Sequence, residues 1–329
     1  MQDDRPLYEN LAAHLDRLPA GFPRTPSGVE IRILRRLFSQ EEAALAPLLD
    51  MKPELPEEIA GRAGLAVEEL APRLETMSRR GLIYRVRLAG RDRYMAAQFL
   101  IGIWEFHVND LDPDLIRDMN GYIPYFFKEQ IRLKTPQLRT IPVSRSLPSE
   151  QAVMPFDEAR RIVAEQEKIV VAPCICRKEH AIAGNTCGRP LETCLVFGSG
   201  ADYYEGNGLG RRITREEALD ILQAAEDEAM VLQPSNSRKV GNICVCCGCC
   251  CQSLKNLRKL PDPARYVASN YHALVDEALC SGCGLCAERC QMDAVRLDDG
   301  VARIDRNRCI GCGLCVPTCP EQAAQLVRK

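Results

Sequence analysis

Residues 280–290 read CSGCGLCAERC and residues 309–319 read CIGCGLCVPTC. The second run repeats the first at a constant offset, so Cys280, Cys283, Cys286 and Cys290 return as Cys309, Cys312, Cys315 and Cys319. Both follow C-x2-C-x2-C-x3-C, and more than thiols is repeated: Gly282 and Gly284 return as Gly311 and Gly313, Leu285 as Leu314, and Ala294 as Ala323. Self-similarity at a fixed period marks a duplicated structural unit. Three thiolates two residues apart wrap a tight loop around one metal–sulfur core. The glycines between them permit backbone angles that turn N–H groups toward its sulfur atoms. The fourth cysteine falls on the following helical turn.

This pattern resembles the bacterial two-cluster ferredoxin, in which the fourth cysteine of each run ligates the opposite cluster. The resemblance covers residues 271–329. It implies two [4Fe-4S] clusters, one held by Cys280, Cys283, Cys286 and Cys319 and the other by Cys309, Cys312, Cys315 and Cys290. Gln291 departs from the pattern, standing where Pro usually follows the fourth cysteine; the change loosens a turn but removes no ligand. Residues 294–297 and 301–304 flank Asp298, Asp299 and Gly300 and read as a hairpin. A zinc reading would want paired C-x2-C units further apart, without the x3-C extension.

Working outward, the chain has 329 residues and 18 cysteines, all between Cys174 and Cys319. The length suggests about two to three domains. A composition of 46% hydrophobic and 27% charged residues excludes a disordered or collagen-like chain. Lys plus Arg number 43 against 45 Asp plus Glu, a formal charge of −2, so there is no overall pull toward nucleic acid or anionic membrane. The N-terminus, MQDDRPLYEN, lacks the basic and apolar regions of a signal peptide. The longest strongly apolar stretch, residues 99–104, is far short of the roughly 18 residues a span needs. A cytoplasmic, reducing setting is therefore expected, where dense cysteines read as metal ligands rather than disulfides.

Ten thiols lie outside the repeat: Cys174, Cys176, Cys187, Cys194, Cys244, Cys246, Cys247, Cys249, Cys250 and Cys251. Residues 168–173 read as a buried strand leading to the first. The last six occupy eight positions, and crowded thiols cross-oxidise unless ligated. One or two additional iron–sulfur clusters are the expected occupants, with structural zinc as a lesser alternative. Alternation along an extended segment would put Cys246, Cys249 and Cys251 on one face and Cys247 and Cys250 on the other. Cys246-Cys247-Gly248 echoes the CCG motif of heterodisulfide-reductase-type clusters, but its C-x-x-C partner would be Cys280 and Cys283, which the repeat already claims. The order from Cys174 to Cys251 also resembles ferredoxin-like proteins of anaerobes known only as 4Fe-4S binding proteins, which implies low-potential electron transfer. Gly198, Gly200, Gly206, Gly208 and Gly210 invite a flavin or nucleotide reading, but the strand and spacing of a dinucleotide fingerprint are missing, so a flexible loop before a helix capped by Thr214 and Glu217 is preferred.

The cysteine-free half carries capping boxes at Ser27/Glu30 and Ser39/Glu42, opening helices over residues 30–38 and 40–49. Helices over residues 56–63 and 67–80 follow, then a hairpin of residues 82–87 and 91–95. That order resembles the MarR-like winged-helix modules. Its charge, 12 basic against 11 acidic residues from Gly28 to Met95, and the carboxylates Glu68, Glu69 and Glu75 on the would-be reading helix favour protein contact over DNA. The aromatic stretch with Phe99, Trp104, Phe106, Tyr122, Tyr125, Phe126 and Phe127 reads as core before docking face. His180, four residues after Cys176, is read as a loop histidine before a cluster ligand.

The expected fold class is α+β and multidomain: an N-terminal arm (1–27), a winged-helix-like domain (28–97), an aromatic-rich helical linker (98–137), a mixed α/β Cys-rich central domain (138–270) and a ferredoxin-like domain (271–329). The expected function is low-potential electron relay to redox partner proteins, with the N-terminal half available for a homodimer or larger complex. The alternatives are a redox-responsive winged-helix regulator and an iron–sulfur oxidoreductase, or a subunit of one, with a catalytic central cluster.

Overall fold

In the computed structural model, which describes residues 4–133, 135–147 and 158–329, Pro56 opens the helix Pro56–Ala63 and a left-handed Gly64 closes it. Other local signals act in the same way. The Ser39 side chain accepts from Glu42 N and the Glu42 carboxylate from Ser39 N, a complete capping box on Gln40–Leu45. That helix stops sooner than expected and passes into one 3₁₀ turn, Ala46–Leu48, at Pro47, which has no N–H to continue the ladder. The box expected at Ser27/Glu30 does not form. Gly28 caps Val29–Leu37 in a left-handed conformation, and the Glu30 carboxylate turns back to accept from Thr25 N at 3.2 Å and Thr25 Oγ1 at 2.5 Å.

The chain divides into two compact units. The first comprises the described residues up to Leu133 with Ala181–Asn185 and Asp202–Leu209; the second comprises the described remainder. Residues 148–157 of the expected central domain lie outside the described residues.

In the first unit, the helix Val67–Arg79 leads through Gly81 into a hairpin of β1 (Ile83–Leu88) and β2 (Arg91–Ala96). Ala89 and Gly90, both at positive φ, make the two-residue turn that such strands require. The segment expected as an arm contains the helix Arg5–Arg17, whose Leu11 is fully buried. The aromatic stretch forms core: Trp104, Tyr122 and Phe126 are buried, and the Phe22 ring lies 4.5 Å from Phe99 and 4.9 Å from Tyr122. Tyr125 is exposed. The glycine-bearing stretch, expected as a flexible loop, is helical over Gly198–Gly206. Its Tyr203 stacks on Tyr84 and donates to the carbonyls of Ser78 and Ile83 at 2.8 and 3.0 Å.

The second unit is built on a five-stranded antiparallel sheet of β3 (Ile169–Pro173), β4 (Glu192–Phe197), β5 (Arg211–Ile213), β6 (Val231–Pro234) and β7 (Asn242–Cys246), in the order β5-β3-β4-β7-β6. β3 is the expected buried strand. Thr214 caps the helix Arg215–Asp227 by accepting from Glu217 N, but the Glu217 carboxylate goes to Arg211, so that capping box is half formed. Two antiparallel strand pairs also belong to the unit: β8 (Tyr271–Val275) with β11 (Ala324–Arg328), distant in sequence, and the hairpin of β9 (Val295–Asp298) with β10 (Val301–Ile304). Among the described residues no helix is long and apolar enough to cross a membrane.

Candidate metal centres

The repeat seen in the cysteines is also a repeat of backbone contacts. Ala273 N–H donates to Cys309 Sγ at 3.4 Å, and one repeat further on Ala302 N–H donates to Cys280 Sγ at 3.4 Å. A Cβ built on Gly282 would meet Gly300 O at 2.1 Å, and one on Gly311 would meet Tyr271 O at the same distance. Each copy's glycine loop is thus clamped by the backbone of the other copy at the same position in the repeat, Gly300 in the β9–β10 turn and Tyr271 at the start of β8. Only glycine tolerates that approach at φ near +70°.

Cys280, Cys283, Cys286 and Cys319 line one cavity of about 20 Å³, with Ala302 and Ala323 in its wall. The thiols of the second group also lie near enough to act on one another. The thiols of Cys312, Cys309 and Cys290 act electrostatically on Cys315, and burial drives Cys315 up while pushing Cys312 up to about 12. Cys290 is raised mainly by burial and accepts from Ala294 N at 3.2 Å. Two sets of four thiols, each receiving backbone N–H groups, fit the donor set that an iron–sulfur cluster needs; Cys309 is buried, whereas Cys283 of the first set is exposed.

The ten central thiols separate into two groups. Six form a row in the order Cys174, Cys176, Cys251, Cys246, Cys244, Cys194, each thiol hydrogen-bonded to the next. The sheet builds part of it. In the β4–β7 register Leu195 faces Ile243, which puts Cys194 across from Cys244, and Gln233 on β6 faces Cys244 from the other side. Along the row the acidities alternate. Cys174, Cys251 and Cys244 are held low, foremost by hydrogen bonds from neighbouring thiols. Cys194 donates the foremost of these bonds to Cys244; Cys176 and Cys246, which donate the others, are raised.

The other four, Cys187, Cys247, Cys249 and Cys250, place their sulfurs all within 4.8 Å of one another. This differs from the expected faces: Cys249 joins Cys247 and Cys250 and not Cys251. The reason is local. Strand geometry ends at Cys246, and the chain turns over Gly248–Cys250, closed by Cys251 N–H on Cys247 O at 3.1 Å, so a period of two no longer applies. Burial pushes the Cys187 thiol up, but the Arg189 N–H and the Cys250, Cys249 and Cys247 thiols bring it net below its usual value.

Three residues not singled out for these sites shape them. Arg177, buried, donates through Nη1 to Val245 O at 3.1 Å and Cys247 Sγ at 3.7 Å and through Nη2 to Thr193 Oγ1. Burial opposes its charge, but Cys174, Cys247 and Cys246 hold it on. Arg189 reaches Cys249 Sγ at 3.6 Å through Nη1. Gln291 accepts from Gly248 N–H at 2.7 Å, so the departure from the repeat joins the two cysteine-bearing loops. The sequence signals were the arginine next to cysteine in Cys176-Arg177 and the missing proline at Gln291, and neither named a partner. His180 Nε2 lies 3.1 Å from Lys255 Nζ.

A family model described as a 4Fe-4S dicluster domain matches residues 279–324. These residues are a ferredoxin-type 4Fe-4S domain, and iron–sulfur electron transfer is the class of chemistry they bring. No curated protein and no solved structure matches the chain.

Proposed function

We propose that the protein passes single electrons between redox partners, using two [4Fe-4S] clusters in residues 271–329 and a further cluster held by the thiol row. Cys280, Cys283, Cys286 and Cys319 would hold one cluster, Cys309, Cys312, Cys315 and Cys290 the second, and ligands drawn from Cys174, Cys176, Cys194, Cys244, Cys246 and Cys251 the third. The observation that carries this reading is the doubled contact set: the same N–H donor and the same glycine clamp recur, one repeat apart, on two groups of four thiols. Bound clusters of this class each accept and release one electron at a potential set by hydrogen bonds, charge and solvent access.

The chain's own residues do the remaining work. Ala273, Ala302 and Ala294 N–H groups place partial positive charge on thiolate sulfur. Leu314 and Ile310, both buried, exclude water beside the second set. Gln291 fixes the turn carrying Cys290 to the turn carrying Cys247 and Cys249, a short bonded path between the repeat and the central thiols. A protein-docking role for the first unit is supported by its charges. Arg85 pairs with Glu75, Arg87 with Asp92 and Arg91 with Glu57, so three of the hairpin's arginines are committed to carboxylates and poorly placed to neutralise phosphate. The test is anaerobic reductive titration followed by EPR. Uptake of two or more electrons per chain, with signals of reduced [4Fe-4S] clusters, supports the reading; a chain that takes up none removes it.

A further inference from the structure

We infer that Cys187, Cys247, Cys249 and Cys250 bind a single thiophilic metal ion, zinc or ferrous iron, as a tetrathiolate site separate from every cluster. The reasoning begins with size. Four sulfurs at about 2.3 Å from one tetrahedral ion stand about 3.8 Å apart. Here all four lie within 4.8 Å of one another, and Cys249 and Cys250 Sγ are 3.8 Å apart. In a cubane each thiolate sits outside its own iron. Its ligand sulfurs are therefore separated by the iron–iron spacing plus the outward reach of two bonds, beyond the spacing of sulfurs that share one ion. Among the described residues this is the one group of His, Cys, Asp or Glu ligand atoms that closes to such a spacing, and neither set of four in the repeat does.

Charge is the second observation. A divalent ion with four thiolates carries a net charge of −2, which is costly in a partly buried site without compensation. Two guanidinium groups supply it on two different sulfurs: Arg177 on Cys247 at 3.7 Å and Arg189 on Cys249 at 3.6 Å. Such outer partners orient ligands and tune the affinity of a metal site. Topology is the third. Cys187 lies in the irregular segment between the helix Ile175–Ile182 and β4, whereas the other three follow β7. One ion would pin that segment to the end of the sheet, which is the work of a structural metal. The ten central thiols then divide into six for the row and four for the ion.

The experiment is metal and acid-labile sulfide analysis of the full chain, purified anaerobically, alongside Cys187→Ser and Cys249→Ser variants. The expected result is that each variant loses one zinc or one iron per chain and no sulfide. Loss of about four iron together with about four sulfide, as for a cubane, would overturn the proposal, as would unchanged metal content. Because a variant can fail to fold, the unaltered protein is also examined by X-ray absorption at the zinc and iron edges. Four sulfurs at about 2.3 Å around zinc, or iron in excess of sulfide with the same shell, support the site. No zinc and iron equal to sulfide rule it out. The variant comparison does not depend on whether residues 271–329 carry their clusters, since its readout is the difference between variant and parent.

Discussion

Gly282 and Gly284 are two residues apart, both left-handed, and of very different consequence. A Cβ on Gly282 would stand 2.1 Å from Gly300 O, where ordinary contact begins at 3.4 Å, so one backbone must retreat by about 1.3 Å. The retreat moves the turn two residues from Ala302, whose N–H bonds Cys280 Sγ at 3.4 Å. Left-handed strain costs roughly 1–2 kcal/mol, and losing a hydrogen bond to a charged acceptor roughly 1.5–3 kcal/mol more, so Gly282→Ala should cost roughly 2.5–5 kcal/mol. A Cβ on Gly284 meets only the flexible Leu297 Cδ1, at 3.4 Å, leaving the strain alone, roughly 1–2 kcal/mol. Iron and sulfide counts on anaerobically purified variants, with circular dichroism as a control for folding, separate the two. Gly282→Ala should lose one cluster's complement of iron while Gly284→Ala keeps it, and Gly311→Ala should behave like Gly282→Ala through Tyr271 O. A fully loaded Gly282→Ala chain, or equal losses at both positions, would refute the clamp.

Other outcomes follow from the same geometry. Arg177→Met should weaken metal binding at Cys187, Cys247, Cys249 and Cys250 by roughly 10–100-fold in chelator competition, the usual effect of losing an outer partner, with Arg177→Lys losing less; equal affinities would contradict the compensation. Gln291→Ala strands the Gly248 amide at a cost of roughly 1–3 kcal/mol, so that amide should exchange with deuterium roughly tenfold faster or more; unchanged exchange would mean that the bond holds nothing. Burial holds buried His107 below its usual pKa, and its Nδ1 lies 2.7 Å from Ile103 O. The folded form therefore binds fewer protons than the unfolded form, and stability falls as pH drops below the ordinary histidine value of about 6.5. Amide exchange around residues 103–108 should quicken between about pH 7 and pH 5, and Gln in place of His107 should flatten that slope. Fluorescence anisotropy with duplex DNA should show no specific binding by the first unit; tight binding with a steep salt dependence would revive the regulator.

Much of the C-terminal region was legible because its signals are local and doubled. Thiol spacing, glycine position and the Asp299-Gly300 turn each sit within a few residues of what they control. The helix Pro56–Ala63 and the hairpin around Ala89-Gly90 were readable for the same reason. The Ser27/Glu30 box failed because Thr25, just outside the motif, offers Glu30 two donors. The glycines around 198–210 misled because two of them, Gly200 and Gly210, serve close packing: a Cβ on Gly210 would lie 2.5 Å from Val171 O on β3, far off in sequence. The division of the central thiols was hidden because it depends on where β7 ends and on Cys187, which is distant in sequence from Cys247. Gln291 illustrates the same limit, since a missing proline signals a loosened turn while its partner, Gly248, is set only by the folded chain.

The most direct measurement is the ratio of iron to acid-labile sulfide per chain after anaerobic purification, read with EPR of the reduced protein. The account predicts roughly eight of each from the repeat, about four more of each if the thiol row is filled, and signals of interacting [4Fe-4S] clusters. Iron without sulfide, or a chain holding neither, would contradict it.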